Sequence, residues 1–524
     1  MAAMSALLLV LAGCGGGETS VENVARQFVA AINSGNAASA ANLTDNPAAA
    51  RPVIEQMLAG LPADDVRFEV EQASSTGGGS GNVSLRAKWD FGKDRTWEYT
   101  TDSTMTQLSI GWRLAWAPDL LVPEFKAGQT VQLIRTDAAP PKVLDANGQP
   151  YMAEQTVNQV RIDASQTPDL EDSARRLAAV IVPVAPLVTA QVLIDRASSK
   201  SGPVDAVALR GPDFAILEGS IRAIPGVSVE QVPKLVLANP NLASPVTSDI
   251  ARRWQATRDN TAGWAVTITG PGGVVNQVAG HQGPPPPDLG VNLDSHVQLS
   301  AVNGVVGVGQ PAALVAFRPS TGQVLAVAQN SQADVEGQVG LQRLEPPGAI
   351  FSAFLRAGGV DPTSAEQVQK AARQIGLGVD LPLPGFTATT GKIGDDGQPV
   401  ASAYGMAVAA TTIADGKLPS PALFTGDAGE VTGPTEALPG ELRDNYRRLM
   451  ADSVATGALT VLGAHSGLNA LTGQVESDAE NPPSWLIGIT GDLAFAVFVG
   501  ATDGTSNAVI VADQFLRALA RPPL

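Results

Sequence analysis

Leu344-Glu345-Pro346-Pro347-Gly348-Ala349-Ile350-Phe351-Ser352-Ala353-Phe354 is the stretch on which the reading of this chain turns. Two prolines fix the backbone, a glycine frees it, and an apolar run with helical spacing follows at once. The pattern predicts a turn that delivers the first turn of a buried helix into a cleft. Taken alone it is an ordinary helix entry. Its meaning depends on what the rest of the chain places around it.

The chain has 524 residues, enough for three or four domains and a large core. Aromatic residues are only 5%, while glycine and proline are abundant, which suits β-rich, loop-rich segments. Asp and Glu outnumber Lys and Arg by 51 to 34, a formal net charge of -17. That balance argues against nucleic acid as a partner, because phosphate binding needs clustered cations. It argues equally against electrostatic docking on an anionic membrane. Cys14 is the only cysteine, so no internal disulfide forms. His281, His296 and His465 are the only histidines and lie far apart in Gly- or Ser-rich contexts. They are expected to be surface or satisfied residues, and the sequence offers no metal site and no cofactor motif.

Residues 1–14 read Met-Ala-Ala-Met-Ser-Ala-Leu-Leu-Leu-Val-Leu-Ala-Gly-Cys, followed by Gly15-Gly16-Gly17-Glu18. An apolar run this short cannot span a bilayer, which takes about 20 residues. It fits the apolar part of a secretory signal, although a basic segment before it is missing. Leu11-Ala12-Gly13-Cys14 resembles a bacterial lipobox. The resemblance implies cleavage before Cys14, lipid attachment to its sulfur, and a mature protein tethered outside the cytoplasmic membrane.

Residues 20–120 change period part-way. Val24, Phe28, Val29 and Ile32 recur at helical spacing behind Ser20, and Ser34-Gly35-Asn36 stops the helix. Shorter helices are expected near 37–43 and 48–59. Val66–Val70, Val83–Trp89, Trp97–Leu108 and Trp112–Trp116 then read as strands. Helices followed by an antiparallel sheet predict a cone-like α+β domain. Trp89, Trp97, Trp112 and Trp116 are expected in its packing. Residues 121–285 contain Lys142-Val143-Leu144-Asp145-Ala146-Asn147-Gly148-Gln149, whose Asp-x-Asn-Gly core is a hairpin turn. A strand, a helix and a turn into another strand follow across Val207–Phe214 and Ile224–Glu230. Gly283-Pro284-Pro285-Pro286-Pro287-Asp288 is a stiff linker that marks a boundary. Residues 288–524 open with a helix near Val291–Ala301. Two β runs, Ala312–Arg318 and Gln323–Ala328, then flank a Pro-Ser-Thr-Gly turn. Ala403–Gly416 reads as an amphipathic helix closed by glycine, and strands follow near Leu471, Trp485 and Ala494.

The order of these segments resembles class B penicillin-binding proteins, the peptidoglycan transpeptidases. The opening stretch is similar to their nucleophile segment, residues 142–149 to the start of their pedestal domain, and Leu471-Thr472-Gly473-Gln474-Val475-Glu476 to their Lys-Thr-Gly strand. Residues 20–120 resemble the nuclear-transport-factor-like domain that precedes many of them. The resemblance implies an α+β multidomain chain: lipoprotein signal 1–14, N-terminal domain 20–120, dimerisation or pedestal domain 121–285, and a serine β-lactamase/transpeptidase-like domain 288–524. It covers nearly the whole mature chain.

The family's acyl transfer needs a nucleophilic Ser, a Lys one turn later, a Ser-x-Asn on the facing wall, and a Lys-Thr-Gly strand. Here Ala349 falls where the Ser belongs and Ser352 where the Lys belongs. No Ser-x-x-Lys occurs anywhere. The region between Leu355 and Ala371, where Ser-x-Asn should fall, is shortened. Leu471 replaces the Lys of the third motif, leaving Thr472 and Gly473. Ser34-Gly35-Asn36 and Lys200-Ser201-Gly202 mimic two motifs in the wrong domains and read as turns. The expectation is a non-catalytic, lipid-anchored scaffold or regulator of cell-wall synthesis. Its expected partners are cell-wall synthesis proteins, peptidoglycan stem peptide, and the membrane through lipid on Cys14. The alternatives are an active D,D-transpeptidase with unconventional residues and an extracellular solute-binding lipoprotein.

Overall fold

The structure, a computed structural model, describes residues 20–475, 480–501 and 505–522. Cys14 and Glu476 lie outside the described residues. The chain is α+β throughout and divides into two compact units, residues 1–140 with 257–286 and residues 141–256 with 287–524.

The first unit begins with the helices Val21–Asn33, Ala37–Ala41 and Pro47–Gly60. Ser20 starts the first of them by accepting a hydrogen bond from the Asn23 N–H at 3.1 Å. Gly35, at φ +70°, takes the chain out of it, and the Asn36 side chain caps the next helix. Ser34-Gly35-Asn36 is thus a turn between helices. The strands Asp65–Gly77, Ser80–Asp90, Thr96–Leu108 and Gly111–Leu114 form an antiparallel sheet in that order. Alternation along Ser80–Asp90 puts Val83, Leu85, Ala87 and Trp89 inside and Asn82, Arg86 and Lys88 outside. Phe28, Ile32, Ile54, Met57, Phe68 and Trp89 meet in one core, each side chain contributing roughly 1.5–3 kcal/mol by burial. Trp97 and Trp112 are buried there too, and Trp116 packs partly buried against it. Trp89 donates its indole N–H to the Tyr99 hydroxyl at 3.0 Å, which satisfies the one polar atom its burial would strand.

A second sheet completes this unit. The strand Gly263–Thr269 pairs with Val275–His281 on one side and with Thr130–Thr136 on the other. Val131, Trp264, Val266 and Ile268 join the same core as the helices. The first unit therefore extends past the 120 boundary and takes in part of the region that the sequence assigns to 121–285.

In the second unit the strand Pro150–Ile162 carries Val227–Leu237 along one edge. Its other edge carries Val143–Leu144 and Val204–Leu209. The Asp145 turn closes on itself. Its carboxylate accepts the backbone N–H groups of Asn147 at 2.9 Å and Gln149 at 2.8 Å, with Gly148 at φ +74°. The other oxygen accepts the Ser295 hydroxyl at 2.6 Å, and Asn147 donates to Asp294 at 3.0 Å. Asp294 in turn caps the helix Ser295–Val305. The hairpin is thereby fastened to the start of that helix, a use for the motif that its local sequence does not state. Lys200-Ser201-Gly202 is a bend, with Gly202 at φ +86°.

The same unit holds a five-stranded antiparallel sheet in the order Gln323–Gln329, Ala312–Arg318, Leu493–Val499, Ser484–Thr490, Asn469–Gln474. Both faces are covered, so its strands read as nearly continuous apolar runs. Ala312, Leu314 and Ala316 face the helices Ser295–Val305 and Ser506–Leu519. Ala313, Val315 and Phe317 face the cluster that contains the helices Gly348–Ala357 and Ala403–Asp415. The latter helix is not amphipathic: every residue from Ala403 to Ile413 is buried. It lies inside the unit, which requires an apolar surface all round.

Candidate functional site

The Pro346-Pro347-Gly348 turn does deliver a helix, Gly348–Ala357. Gly348 sits at φ +54°, and a Cβ there would lie 2.1 Å from the Gln474 carbonyl oxygen. Only glycine fits, because both the conformation and the space exclude a side chain. Ile350, Phe351, Phe354 and Leu355 are buried and anchor the helix, with the Phe354 ring 4.6 Å from that of Tyr446. Ala349 and Ser352 are half-buried. Their spacing of three places them on neighbouring turns of one face.

The facing wall is the edge strand Asn469–Gln474. A Cβ on Gly473 would fall 2.9 Å from the Ala349 Cβ and 2.8 Å from the Ile350 nitrogen. The helix start and the strand are in direct contact at this point. Trp485, opposite Gly473 on the neighbouring strand, donates its indole N–H to the Pro346 carbonyl at 2.9 Å. That bond ties the turn to the sheet. Ala349 and Gly473, singled out from sequence, are thus brought together, and Ser352 follows one turn along the helix.

Leu471 is buried in the same apolar cluster as Ile350, Trp485 and Ile487. Thr472 lies between Leu471 and Gly473, and alternation turns it to the opposite face. Its hydroxyl donates to the Trp485 carbonyl at 2.7 Å. The helix Gly348–Ala357 carries one ionisable residue, Arg356, exposed in its last turn. The Tyr446 hydroxyl behind it is held protonated, since burial pushes its pKa up to about 12. Glu345, just before the turn, accepts from Arg343 at 2.9 and 3.0 Å. The Tyr446 hydroxyl therefore offers no base at neutral pH, and the Glu345 carboxylate is engaged by Arg343.

The three histidines have structural surroundings. His296 Nε2 lies 3.0 Å from the Leu519 carbonyl. His465 Nε2 lies 2.9 Å from Asp513, which also accepts from Arg517 at 2.7 Å. His281 packs edge-on to Trp264. Among the described residues no group of three or more His, Cys, Asp or Glu is placed to hold a metal ion. Partial burial pushes the Asp513 carboxyl up, but hydrogen bonds from Arg517 and His465 outweigh it and hold the pKa below the usual range. A lowered folded pKa contributes stability above the unfolded value, and that contribution is lost as pH falls through the folded value. Asp513→Asn is therefore expected to flatten the acid limb of a stability-versus-pH curve below about pH 4. An unchanged limb in urea melts across that range would show that the pair contributes nothing.

Nothing in the local sequence pointed to Trp485 or Tyr446 as neighbours of the opening stretch. Their partners are far away along the chain.

Residues 20–129 match the family model of the NTF2-like N-terminal transpeptidase domain. The first domain is of the penicillin-binding-protein-like kind. The matched span covers the three helices, the four-stranded sheet and the segment leading to Thr130. No curated protein matches the chain.

Proposed function

We propose that this chain is a penicillin-binding-protein homologue that does not acylate, and acts as a scaffold or regulator of peptidoglycan synthesis. One observation carries this reading. The residue in the first turn of the buried helix that meets Gly473 is Ala349, which has no hydroxyl to attack a carbonyl. Two others support it. Ser352 stands where an amine is needed, and Leu471 is packed into the core where a cation is needed to hold a carboxylate. The N-terminal domain, of a type that accompanies transpeptidases, favours a role beside cell-wall synthesis. In this reading Cys14 carries lipid and holds the protein on the outer face of the cytoplasmic membrane, while its surfaces dock cell-wall synthesis proteins. Stem peptide binding at the cleft is reversible in this reading.

The test uses the full chain expressed in a bacterial host with a fluorescent penicillin and a labelled fatty acid. The expected gel shows the fatty-acid label, lost in Cys14→Ala, and no penicillin label beside a labelled positive control. A penicillin band abolished by prior boiling would overturn the non-catalytic reading. The labelled peptide would then identify the serine in use, with Ser352 the first to check. Absence of the fatty-acid label would remove the lipid anchor from the proposal.

A further inference from the structure

The strand Thr130–Thr136 is an edge strand of the second sheet in the first unit. Its inner side pairs with Gly263–Thr269 in unbroken register. Among the described residues its outer side is closed at one point only. Gln56, on the helix Pro47–Gly60, donates to the Val131 carbonyl at 3.0 Å and accepts the Val131 N–H at 3.4 Å, a side-chain imitation of a strand. In an antiparallel ladder N–H and C=O groups alternate sides residue by residue. The outward direction at Val131 therefore recurs at Leu133 and Arg135. Consistently, the Thr136 carbonyl faces inward and accepts the Gly283 N–H at 3.0 Å. Beyond Gln56 this edge presents two N–H and two C=O groups with no partner among the described residues.

Those groups open on a cavity of about 380 Å³ lined by Lys93, Arg95, Leu133, Ile134, Arg135, Asp259 and Ala262. Arg135 is spoken for, with both Asp137 oxygens at 2.6 and 2.8 Å and Asp259 at 2.6 Å. Lys93 and Arg95 are different. Neither side chain has a hydrogen-bond or ion-pair partner among the described residues. They sit on the tight turn between Ser80–Asp90 and Thr96–Leu108, where Gly92, Lys93 and Asp94 are all at positive φ, +72°, +52° and +60°. The turn is fixed by Arg95 N–H to Gly92 O at 3.1 Å and Phe91 N–H to Arg95 O at 2.9 Å. In a chain of net charge -17, two unpaired cations beside an open strand edge and apolar Ile134 form a distinct chemical surface.

We propose that this edge takes an acidic, extended peptide segment of a partner protein by strand addition. Leu133 and Arg135 supply the backbone pairing, and Lys93 and Arg95 meet carboxylates of the incoming strand. The inference concerns the first unit alone and does not depend on whether the second is catalytic.

The test uses the whole protein and a fluorescein-labelled hexapeptide of alternating Glu and Val, capped at both ends, followed by anisotropy. Three comparisons decide it. Replacing Glu by Lys in the peptide is expected to abolish binding. Lys93→Glu with Arg95→Glu is expected to weaken it roughly tenfold at low salt, with the protein's thermal melt unchanged because both side chains are on an outer turn. N-methylating alternate residues, in the two possible patterns, is expected to destroy binding in one pattern, because one edge of the peptide must donate its N–H groups. Equal binding of the Lys peptide, no effect of the double reversal, or survival of binding in both N-methylated patterns would each overturn the proposal. So would self-association that is lost in the double variant without peptide binding, since a second copy would then occupy the edge.

Discussion

Trp485→Ala is expected to destabilise the second unit by about 3–5 kcal/mol, the range for deleting a large buried aromatic side chain. Trp485 is fully buried, its ring centroid is 4.7 Å from that of Phe498, and its indole N–H holds the Pro346 carbonyl. Three losses coincide: packed area, a cavity that the sheet cannot close, and a half-buried carbonyl left without its donor. In a thermal scan this corresponds to a fall of roughly 4–7 °C for the transition of a unit of this size. The first unit has its own core, so its transition stays in place. Trp485→Phe separates the terms. It keeps most of the bulk and drops the hydrogen bond, and should cost about 1–3 kcal/mol. A fall of less than about 2 °C in the alanine variant would mean that the Pro346 turn is held by other contacts, and the account of how this helix is aimed would fail.

Trp485 matters to the candidate site because it fixes the turn and the turn fixes Ala349. The clearance at Gly473 shows how tight that placement is, with even a methyl group excluded. A serine at 349 would therefore project from a well-defined point, yet the scaffold holds no amine one turn later. Positioning is precise at this point, and neither Ala349 nor Ser352 carries an amine. Such precision has a packing role in any case, since Ile350 and Phe354 enter the core immediately behind it.

Much of this fold is legible in local pattern. Strict alternation from Ser80 to Asp90 announces a one-sided sheet, and Pro346-Pro347-Gly348 announces a turn into a helix. Continuous apolar runs at Ala312–Arg318 and Leu493–Val499 announce strands covered on both faces. What the sequence does not carry is who pairs with whom. Thr130–Thr136 meets Gly263–Thr269 across a long intervening segment, and no local signal encodes such a pairing. A sequential reading therefore assigns both to the middle region, whereas the structure gives them to the first unit. The same limit hides Trp485 from Pro346. The helix Ala403–Asp415 illustrates another limit. Its small residues imitate an amphipathic pattern, because Ala, Gly and Thr are tolerated on either side of a helix. Burial on all sides becomes evident only once its neighbours are in place.

That buried helix gives the second large prediction, Gly405→Ala. On intrinsic propensity alone the change should stabilise, since alanine is about 1 kcal/mol better than glycine inside a helix. The site reverses the sign. A Cβ at residue 405 would lie 1.7 Å from the Thr390 carbonyl oxygen and 2.6 Å from its carbon. Backbone atoms must move to admit it, and these have no freedom to do so. The Thr390 hydroxyl donates to the Val379 carbonyl, and the Ser402 hydroxyl donates to the Thr389 carbonyl. Ser402 also caps the helix through the Gly405 N–H at 3.0 Å. Shifting the helix to relieve the clash would break this cap and the segment beside it together. Overpacking of this kind costs about 1–3 kcal/mol where side chains can adapt. With a locked backbone on the other side, a net loss of about 3 kcal/mol or more is expected, read as a lowered urea midpoint with unchanged slope. A variant as stable as the wild type would show that propensity wins, and that the helix is free to slide against Thr390.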